Sequence, residues 1–445
     1  MSKLGDFVRV QGGYAFKSSE LSDDKTGVPV IKIGNITGGS FVDLSNYQSV
    51  SFQLFEKTKS FATKDNDILI AMTGANVGKT SRVPVNSDAY LINQRVGRFL
   101  LKEDCPYTSD FIYYVVSSKQ AYQYFSRVAD GAAQPNISGK TIEDLEFPNI
   151  DSRCANKIGN ILKSLDDKIQ LNTQINQTLE QIAQTIFKSW FIDFDPVHAK
   201  ANALASGQTA EQATQAAMSV ISGKNTQELH RLQTANPEQY QQLWEIAEAF
   251  PSGFDEEGVP RGWEERELSY LFEFLSGAQP PKSEHIYEEK EGYERFIQNR
   301  DYSNDNHKTY IPISKKNKRC TEKDILMDKY GEAGKVRYGI KGAYNVALAK
   351  IVPQKDNLRE FLRSYFTQDK IRNYLSSSSM ASTRNSLNST TFTRMKVIVP
   401  NDFLLSTFDK LANEKIDKIL QIKQENIELS KLRDYLLPKL LSGEV

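Results

Sequence analysis

The sequence predicts an α+β protein: two α/β domains separated by two long helices packed as an antiparallel coiled coil, in a pseudo-two-fold internal repeat. Two observations predict this architecture. The second half of the 445-residue chain repeats the first half at a spacing of about 250 residues, and each half ends in a long run with helical periodicity. Self-similarity at a fixed offset indicates a structural unit that is built twice.

The repeat fixes the expected domain organisation. Aligned pairs at an offset of 250 are Asp167–Asp417, Asn176–Asn426, Leu179–Leu429, Ile186–Leu436 and Phe111–Phe361. Upstream, the string DILIAMTGANVGKT (67–80) aligns with DILMDKYGEAGKVR (324–337). The order is therefore domain, helix, connector, domain, helix. The expected boundaries are 1–150, 151–192, 193–262, 263–400 and 401–445.

Short β-like runs and one helical stretch make up the first domain. VPVIKIGNI (28–36) and DNDILIAMTG (65–74) are rich in Val and Ile and contain or end in Gly and Asn, which is typical of strands followed by turns. DFIYYVVSSKQAYQYFSRV (110–128) has apolar residues at helical spacing. The second domain repeats this pattern. We expect both domains to mix strands with helices.

A heptad seam runs along the predicted central helix, about 153–191. Its members step by four and three residues: Ile158, Leu162, Leu165, Ile169, Asn172, Asn176, Leu179, Ala183 and Ile186. At about 1.5 Å per residue this helix reaches on the order of 50–60 Å. If two such helices pack antiparallel, each domain lies at an opposite end of the pair.

The second long helix, roughly 403–441, has a matching seam. The residues expected to make coiled-coil or partner contacts are Ile169, Asn176, Leu179, Ile186, Ile419, Asn426, Leu429 and Leu436. A buried asparagine at a seam position fixes register, and Asn176 and Asn426 occupy equivalent places. The plainer interpretation, that each asparagine faces solvent, stays open. The Ala- and Gln-rich connector shows no chemistry.

Composition excludes several classes of protein. The 56 basic and 56 acidic residues cancel, which disfavours a general polyanion binder without excluding a basic face. No apolar run approaches the roughly 20 residues of a membrane span. Three widely separated cysteines suit a reducing cytoplasm. Four scattered histidines give no metal-site spacing. We expect a cytoplasmic protein with no metal and no membrane.

Two strings suggest enzymes, and both fall short. GANVGKT (74–80) has three residues between its first Gly and Gly-Lys-Thr, whereas a phosphate-binding P-loop needs four. A turn that presents Lys79 and Lys335 to an anion is the simpler interpretation. FDPVH (194–198) lacks the second Pro and the aromatic residue of an amino-methyltransferase motif. The chain is predicted to be non-catalytic. The alternatives are a single-chain enzyme (P-loop NTPase or DNA methyltransferase) and a protein-only helical scaffold.

Polar, basic and amide residues on the loops are the candidate nucleic-acid contacts. Arg, Asn and Gln can bond bidentately to base edges, whereas Lys more often meets phosphate. For each position the plain alternative is a solvated loop residue. The candidates in the first domain are Lys17, Ser18, Asn35, Lys79, Arg95, Gln134, Asn136 and Lys140. The candidates in the second domain are Lys282, Asn299, Arg300, Tyr302, Lys335, Arg337, Arg384 and Asn385.

Several strings together resemble one family. They are GYAFKSSE (13–20), DILIAMTGANVGKT (67–80), SLDDKIQLNTQINQTLEQIAQTIFKSWFIDFDPV (164–197), GVPRGWEERELSYL (258–271) and LRDYLLPKLLSGEV (432–445). With the domain order, they cover nearly the whole chain. The chain resembles the specificity subunit of a type I DNA restriction–modification system. The helix followed by FKSWFIDFDPV is the most specific piece.

The resemblance implies a function. In this family two target-recognition domains each bind one half of a split, asymmetric site on double-stranded DNA. The paired helices act as a ruler and dock two adenine-methylating modification subunits, and through them the restriction/translocase subunits. The specificity chain itself carries no cofactor. S-adenosylmethionine is expected in the modification subunits, and ATP and Mg in the restriction subunits.

Overall fold

The structure, a computed structural model, describes residues 2–85, 88–129, 135–303, 307–380 and 386–442. The chain divides into two compact units. The first unit contains the residues up to Asn172 together with those from Gln424 onward, and the second is Thr173–Lys423. The C-terminal end of the chain therefore belongs to the same unit as the N-terminal domain.

The first domain is built on two small sheets. Its strands are β1 (Val8–Gly12), β2 (Val28–Ile31), β3 (Gln48–Val50), β4 (Ile68–Ala71), β5 (Thr80–Arg82), β6 (Leu91–Ile92) and β7 (Val96–Leu101). One sheet is antiparallel with the order β1-β7-β4-β5. The other has the order β3-β2-β6, in which β2 and β6 run parallel. This mixture of strand directions is the α+β arrangement that the sequence predicts.

Strand β4 shows why an unbroken apolar run forms here. All four of its residues are buried. Ile68 and Ile70 pack into the core beneath the helices, while Leu69 and Ala71 pack into a separate core on the other face. Because neighbouring side chains of a strand point to opposite faces, a strand covered on both faces is apolar throughout.

The helices of the first domain carry clear start signals. They are α1 (Phe52–Lys57), α2 (Ser109–Val116), α3 (Lys119–Val128) and α4 (Gly139–Glu143). Thr108 and Ser118 accept hydrogen bonds from the backbone N–H groups of Phe111 and Ala121. These N-caps satisfy donors that the first turn leaves unpaired. They separate α2 from α3 within a run that the sequence alone presents as one helical stretch.

The central helix α5 spans Ser152–Phe191, and the connector after it is entirely built around helices. Those helices are α6 (Asp195–Ala205), α7 (Ala210–Ser222), α8 (Thr226–Ala235) and α9 (Pro237–Ala249). The Lys200 ammonium donates to the carbonyl oxygens of Ala247, Glu248 and Phe250 at 3.2, 3.1 and 2.6 Å. A lysine placed there caps the C-terminal end of α9, where carbonyl groups lack helical partners.

The second domain repeats the topology of the first. Its strands are β8 (Glu264–Glu267), β9 (Phe272–Ser276), β10 (Tyr293–Ile297), β11 (Tyr310–Pro312), β12 (Arg319–Cys320), β13 (Ile325–Asp328), β14 (Val336–Arg337), β15 (Gly342–Tyr344), β16 (Leu348–Pro353) and β17 (Lys396–Val399). The order β9-β16-β13-β14 matches β1-β7-β4-β5, and the parallel pair β10/β15 matches β2/β6. Its helices are α10 (Arg359–Thr367) and α11 (Asp369–Met380).

The C-terminal helix α12 spans Asp402–Ser442 and pairs with α5 inside each unit. In the first unit, Asp166 meets Arg433 and Asn172 meets Asn426. In the second unit, the rings of Phe187 and Phe408 lie 5.7 Å apart. Within the first unit the partners advance along one helix as they retreat along the other, so the pairing is antiparallel.

The asparagine that bonds to Asn426 across the helix pair is Asn172, whereas the sequence pattern singled out Asn176 and Asn426. Asn172 Nδ2 donates to Asn426 Oδ1 at 2.8 Å, and Asn426 Nδ2 donates to the Ile169 carbonyl oxygen at 3.4 Å. Asn176 is buried in the second unit, and its Oδ1 has no hydrogen-bond partner among the described residues. The residue 250 positions after Asn172 is Ile422, so the repeat supplies no second asparagine there.

The remaining predicted seam residues line the helices with different degrees of burial. Ile419 is buried, whereas Ile169, Leu179 and Leu429 are half-buried. Ile186 packs against the aromatic core of the second unit, and Leu436 packs against the core of the first domain. Within the described residues, no helix is long and apolar enough to cross a membrane.

Two glycines in the repeated turns are required by packing. Gly78 has φ +81°, and a Cβ there would lie 2.8 Å from Cβ of Phe125. Gly334 has φ +90°, with Cβ of Leu375 also at 2.8 Å. Both turns therefore press against the helix that follows α2 or α10. A side chain at either position would add backbone strain and overlap.

We predict that Gly78→Ala lowers the free energy of unfolding by about 2–4 kcal/mol, from left-handed backbone strain plus overpacking. Urea denaturation measures the loss. Gly34→Ala is the matched control, because nothing lies within 4 Å of its Cβ position and its φ is not positive. Equal midpoints for the two variants would contradict the packing argument.

Candidate nucleic-acid interface

One edge of the first domain gathers several predicted contact residues. The backbone N–H of Gln94 donates to the Tyr14 carbonyl oxygen at 2.8 Å, and the N–H of Met72 donates to the Arg95 carbonyl oxygen at 2.9 Å. The N–H of Ile137 then donates to the Met72 carbonyl oxygen at 2.9 Å. These bonds join four loops that are far apart in sequence. We call the residues 13–18, 72–76, 93–95 and 135–138 the first loop edge.

Four candidates lie on this edge with exposed side chains: Lys17, Ser18, Arg95 and Asn136. Lys17 precedes a 3-10 turn, Ser18–Glu20, and its backbone N–H donates to Glu20. Asn136 forms an isolated bridge with Thr73. The edge therefore presents a lysine, an arginine and an amide together, which is the mixture that phosphate and base contacts use.

Gln94 belongs to this edge and was missed by sequence reasoning. It is exposed between Asn93 and Arg95 in the turn that enters β7. A glutamine beside an arginine offers two bidentate partners for bases. The turn dipeptide Asn-Gln before a strand start was the available signal. Lys140 is exposed nearby in sequence, on the short helix α4.

The glycine-rich turn at 74–80 is a β-hairpin connection. Residues Gly74–Asn76 form a 3-10 turn between β4 and β5, which pair antiparallel. The Lys79 ammonium is half-buried and donates to Asn76 Oδ1 at 2.9 Å. A P-loop leads into a helix whose N-terminal N–H groups face the phosphate. This turn leads into a strand, so the geometry agrees with the short spacing in disfavouring a nucleotide site.

Asn35 does not suit a base contact. It is buried, and its amide nitrogen donates to the carbonyl oxygens of Asp43 and Asn46 at 2.7 and 2.8 Å. Its Oδ1 accepts from the backbone N–H of Lys32. In the second domain Asp301 accepts in the same way from the N–H of Gln298. Both side chains hold a 3-10 turn in place, and we remove Asn35 from the candidate contacts.

The second domain has an equivalent edge with different side chains. The N–H of Lys329 donates to the Ala347 carbonyl oxygen at 2.8 Å, and the N–H of Leu387 donates to the Lys329 carbonyl oxygen at 3.2 Å. Ala347 thus takes the place of Arg95, and Lys329 takes the place of Met72. We call the residues 277–283, 329–332, 345–347 and 386–387 the second loop edge.

Lys282, Lys329 and Tyr330 are the prominent side chains of the second loop edge. Lys282 is exposed at the start of a 3-10 turn. The Lys329 ammonium donates to Ser276 Oγ at 2.9 Å and lies 5.7 Å from the centre of the exposed Tyr330 ring. Lys329 and Tyr330 were not among the candidates, because the residues that align with them in the string 67–80, Met72 and Thr73, were not candidates either. The equivalence of Lys329 with Met72 follows from that alignment and from the shared backbone bonds, and the equivalence of Ala347 with Arg95 follows from the backbone bonds.

The structure gives Arg337 and Tyr302 internal roles. Arg337 is buried and donates to Asp328 Oδ2 at 2.7 Å and to Glu332 Oε2 at 2.8 Å. Burial opposes the charged form, but the hydrogen bonds and charges of Asp328 and Glu332 together outweigh it and raise the pKa of Arg337. The Tyr302 hydroxyl is buried without a partner among the described residues. We remove both residues from the candidate contacts.

The other candidates in the second domain vary in exposure. Arg300 is exposed, with its Nη2 3.5 Å from Thr309 Oγ1. Asn299 is half-buried and its Oδ1 has no partner among the described residues. Lys335 donates to Glu332 at 2.8 Å, and this bond lowers the pKa of Glu332. Three candidates lie outside the described residues: Gln134, Arg384 and Asn385.

Within the part of the chain that the structure describes, no metal site accompanies these edges, and neither edge contains a cysteine. Among the described residues, no group of three or more His, Cys, Asp or Glu side chains could hold a metal ion. Cys320 is buried, and burial raises the pKa of its thiol to about 12. Such a thiol stays protonated and unreactive at neutral pH.

Known proteins resemble this chain in sequence over nearly its whole length. The family model described as the type I restriction modification DNA specificity domain matches residues 1–181 and 260–433. The HindI specificity subunit of Haemophilus influenzae is 33% identical over 445 residues, covering 94% of each chain. The MjaIX specificity subunit of Methanocaldococcus jannaschii is 26% identical, covering 94% of this chain and 89% of that one.

A solved structure shows the same fold. The S subunit of a type I restriction–modification system from M. genitalium has a TM-score of 0.51 at 16% identity, covering 98% of this chain and 94% of that chain. The chain belongs to the type I restriction–modification DNA specificity family. It is a DNA target-recognition subunit, and it is not a catalytic subunit.

We predict that Arg337→Met lowers the free energy of unfolding by about 3 kcal/mol, because Asp328 is left buried without its cation. Lys335→Met is the matched control, since it breaks a partly exposed pair with Glu332 and costs about 0.5 kcal/mol or less. Urea denaturation separates the two. If Arg337→Met unfolds like the wild type but binds DNA weakly, the internal role is wrong.

Proposed function

We propose that each α/β domain reads one half of a bipartite, asymmetric DNA target through its loop edge. The observation that carries this proposal is one backbone framework built twice with different side chains. Arg95 of the first edge corresponds to Ala347 of the second, and Met72 corresponds to Lys329. Two similar frameworks with unlike side chains suit two unlike half-sites.

The electrostatics support local contacts over general attraction. The chain has a formal net charge of zero, so its affinity for DNA must come from particular side chains. Lys17, Lys282 and Arg300 are exposed and suit phosphate contacts. Arg95, Gln94 and the remaining amides suit base edges. In this proposal the length of the α5–α12 pair sets the distance between the half-sites.

The helix pair also suits partner docking. Several large apolar side chains on α5 and α12 in the first unit are exposed: Ile161, Leu171, Ile427, Leu432 and Tyr435. Exposed apolar residues that recur along helices mark interaction surfaces. We propose that two adenine-N6 methyltransferase subunits dock on these helices, and that restriction/translocase subunits join through them.

The cofactors then reside in the partners. S-adenosylmethionine would be bound by the modification subunits, and ATP with Mg by the restriction subunits. The assembled complex would act in the cytoplasm, which agrees with three cysteines that form no disulfide. A single-chain methyltransferase or NTPase remains the alternative, and it predicts S-adenosylmethionine or nucleotide binding by the purified chain alone.

The deciding experiment is a domain exchange. Residues 263–400 are replaced by the corresponding segment of another family member, and methylated adenines are mapped by sequencing with the modification subunits present. We expect a bipartite motif in which one half changes and the other half is unchanged. A motif that changes in both halves, or in neither, contradicts the proposal.

Within the unchanged half, Arg95→Ala should cost about 1–3 kcal/mol of binding free energy and relax selectivity at one base pair. Lys102→Ala is the matched control, because Lys102 follows the other end of strand β7, about 20 Å away. Titration of the complex with fluorescent duplex DNA measures both variants. Equal losses from the two would show a general charge effect.

We also predict that Leu171→Glu with Leu432→Glu abolishes co-purification with the modification subunits. Both side chains are about half exposed, at 51% and 46%, so a charge is tolerated by the fold but not by an apolar interface. Thermal unfolding of the chain alone should shift little. Lys431→Glu, at a neighbouring exposed position, is the control. Normal assembly of the double variant would place the docking surface elsewhere.

A further inference from the structure

A buried carboxylate on the central helix accepts hydrogen bonds from four directions. Asp166 is 1% exposed. Its Oδ2 accepts from Arg82 Nη2 at 2.8 Å and from the Tyr114 hydroxyl at 2.7 Å. Its Oδ1 accepts from Arg433 Nη1 at 2.7 Å and from Ser40 Oγ at 3.0 Å. Three of the donors come from the first domain, and Arg433 comes from the C-terminal helix.

Two guanidinium groups and three carboxylates make up the charged network around Asp166. Arg82 also pairs with Asp110 at 3.2 Å, and Arg433 also pairs with Asp434 at 2.8 Å. Burial opposes the charged form of Arg433, but the charges and hydrogen bonds of Asp166 and Asp434 together outweigh it and raise the pKa of this guanidinium. Charge-assisted bonds of this kind depend strongly on distance and angle. The network therefore fixes an orientation, which apolar packing does less strictly.

The network continues to the first loop edge. The backbone N–H of Arg82 donates to the Ser40 carbonyl oxygen at 2.9 Å, which ties the strand to the loop that Arg433 holds. Gly38 of that loop lies beside Lys79, since a Cβ added to Gly38 would be 3.6 Å from Cδ of Lys79. Strand β5 itself begins directly after Lys79 and pairs with β4, which leads to the Met72 bond with Arg95. A shift at Asp166 would therefore move the framework of this edge.

The second unit lacks this network at the equivalent positions. At the repeat offset of 250, Asp166 corresponds to Ile416 and Arg433 corresponds to Ala183. Both of those residues are buried and apolar. The joint there combines aromatic packing, with the ring of Phe187 5.3 Å from that of Phe361, and separate polar contacts such as the hydrogen bond from the Tyr338 hydroxyl to Glu180. The two domains are thus held on the helices by different residues, and no buried carboxylate stands at the position of Asp166 in the second copy.

We propose that Arg433 and Asp166 are positioning residues for recognition of one half-site, the half read by the first domain. It follows that the C-terminal segment 424–442, which follows the second domain in sequence, serves the selectivity of the first. Leu436 and Leu440 strengthen this assignment, since both pack into the core of the first domain. The inference rests on the proposed bipartite function and names residues that neither loop edge contains.

The test uses the full chain in complex with its modification subunits. Arg433→Gln removes the charge and the bond to Asp166, but leaves Asp166 paired with Arg82 and Tyr114. Methylation of the wild-type motif should fall at least about tenfold, the scale of one lost charged hydrogen bond. Sites that are still methylated should keep the half-site assigned to the second domain by the domain exchange. The other half, or the spacer, should become degenerate.

Two further variants control the test. Arg433→Lys keeps the charge and should restore part of the lost selectivity, which a purely structural defect would not show. Lys431→Gln removes the same charge two residues away and should methylate the wild-type motif normally. If Arg433→Gln does not accumulate, Tyr114→Phe removes one donor while both ion pairs stay, and the same half should relax by a smaller factor.

The outcomes separate the two proposals. Equal relaxation of both halves, or an unchanged motif at an unchanged rate, overturns the positioning role while the bipartite function stands. A wild-type motif that is not bipartite overturns the proposed function itself. Relaxation of only the half assigned to the second domain would reverse the assignment of the C-terminal segment and overturn the inference.

Discussion

The stability of the structure depends on burying one face of each long helix against other parts of the chain. The central helix has 40 residues, a length on the order of 60 Å, and a helix of this kind gains stability chiefly from packing one face. In the first unit the cover comes from the C-terminal helix and the core of the first domain. In the second unit it comes from an aromatic cluster that includes Phe187, Phe361 and Phe408. The chain must therefore return its last segment to the first domain.

Polar residues between the helices fix the register of one helix against the other, which apolar contacts alone would leave free to shift. Apolar side chains tolerate small shifts of one helix along another, whereas the bond between Asn172 and Asn426 is lost on a shift of one turn. Asp166 adds a second constraint, because its two oxygens are shared among four donors. Charged and amide groups buried at this density are stable only when their partners are in place. The first unit consequently specifies its arrangement more strictly than apolar contact requires.

The sequence predicted the features that depend on periodicity and failed where geometry decides. Helical spacing and the 250-residue offset predicted both long helices and the repeated domain, because amphipathic patterns follow directly from backbone geometry. Residue type could not separate Arg95, which is exposed, from Arg337, which is buried between carboxylates. Asn35 was misjudged for the same reason, since an amide that staples a turn and one that contacts a base look alike in sequence. Lys329 and Tyr330 escaped notice because their equivalents in the first copy, Met72 and Thr73, gave no sign of a DNA contact.

The pattern of divergence between the copies argues for division of labour. Residues that set topology recur: Gly78 and Gly334 make the same turn, and β4 and β13 occupy the same place in their sheets. Several side chains on the loop edges do not recur, as Arg95 against Ala347 and Met72 against Lys329 show. If both copies bound the same half-site of a symmetric DNA sequence, the side chains of the two edges would be expected to match. A shared framework with unlike edges therefore agrees with the asymmetric target that we propose.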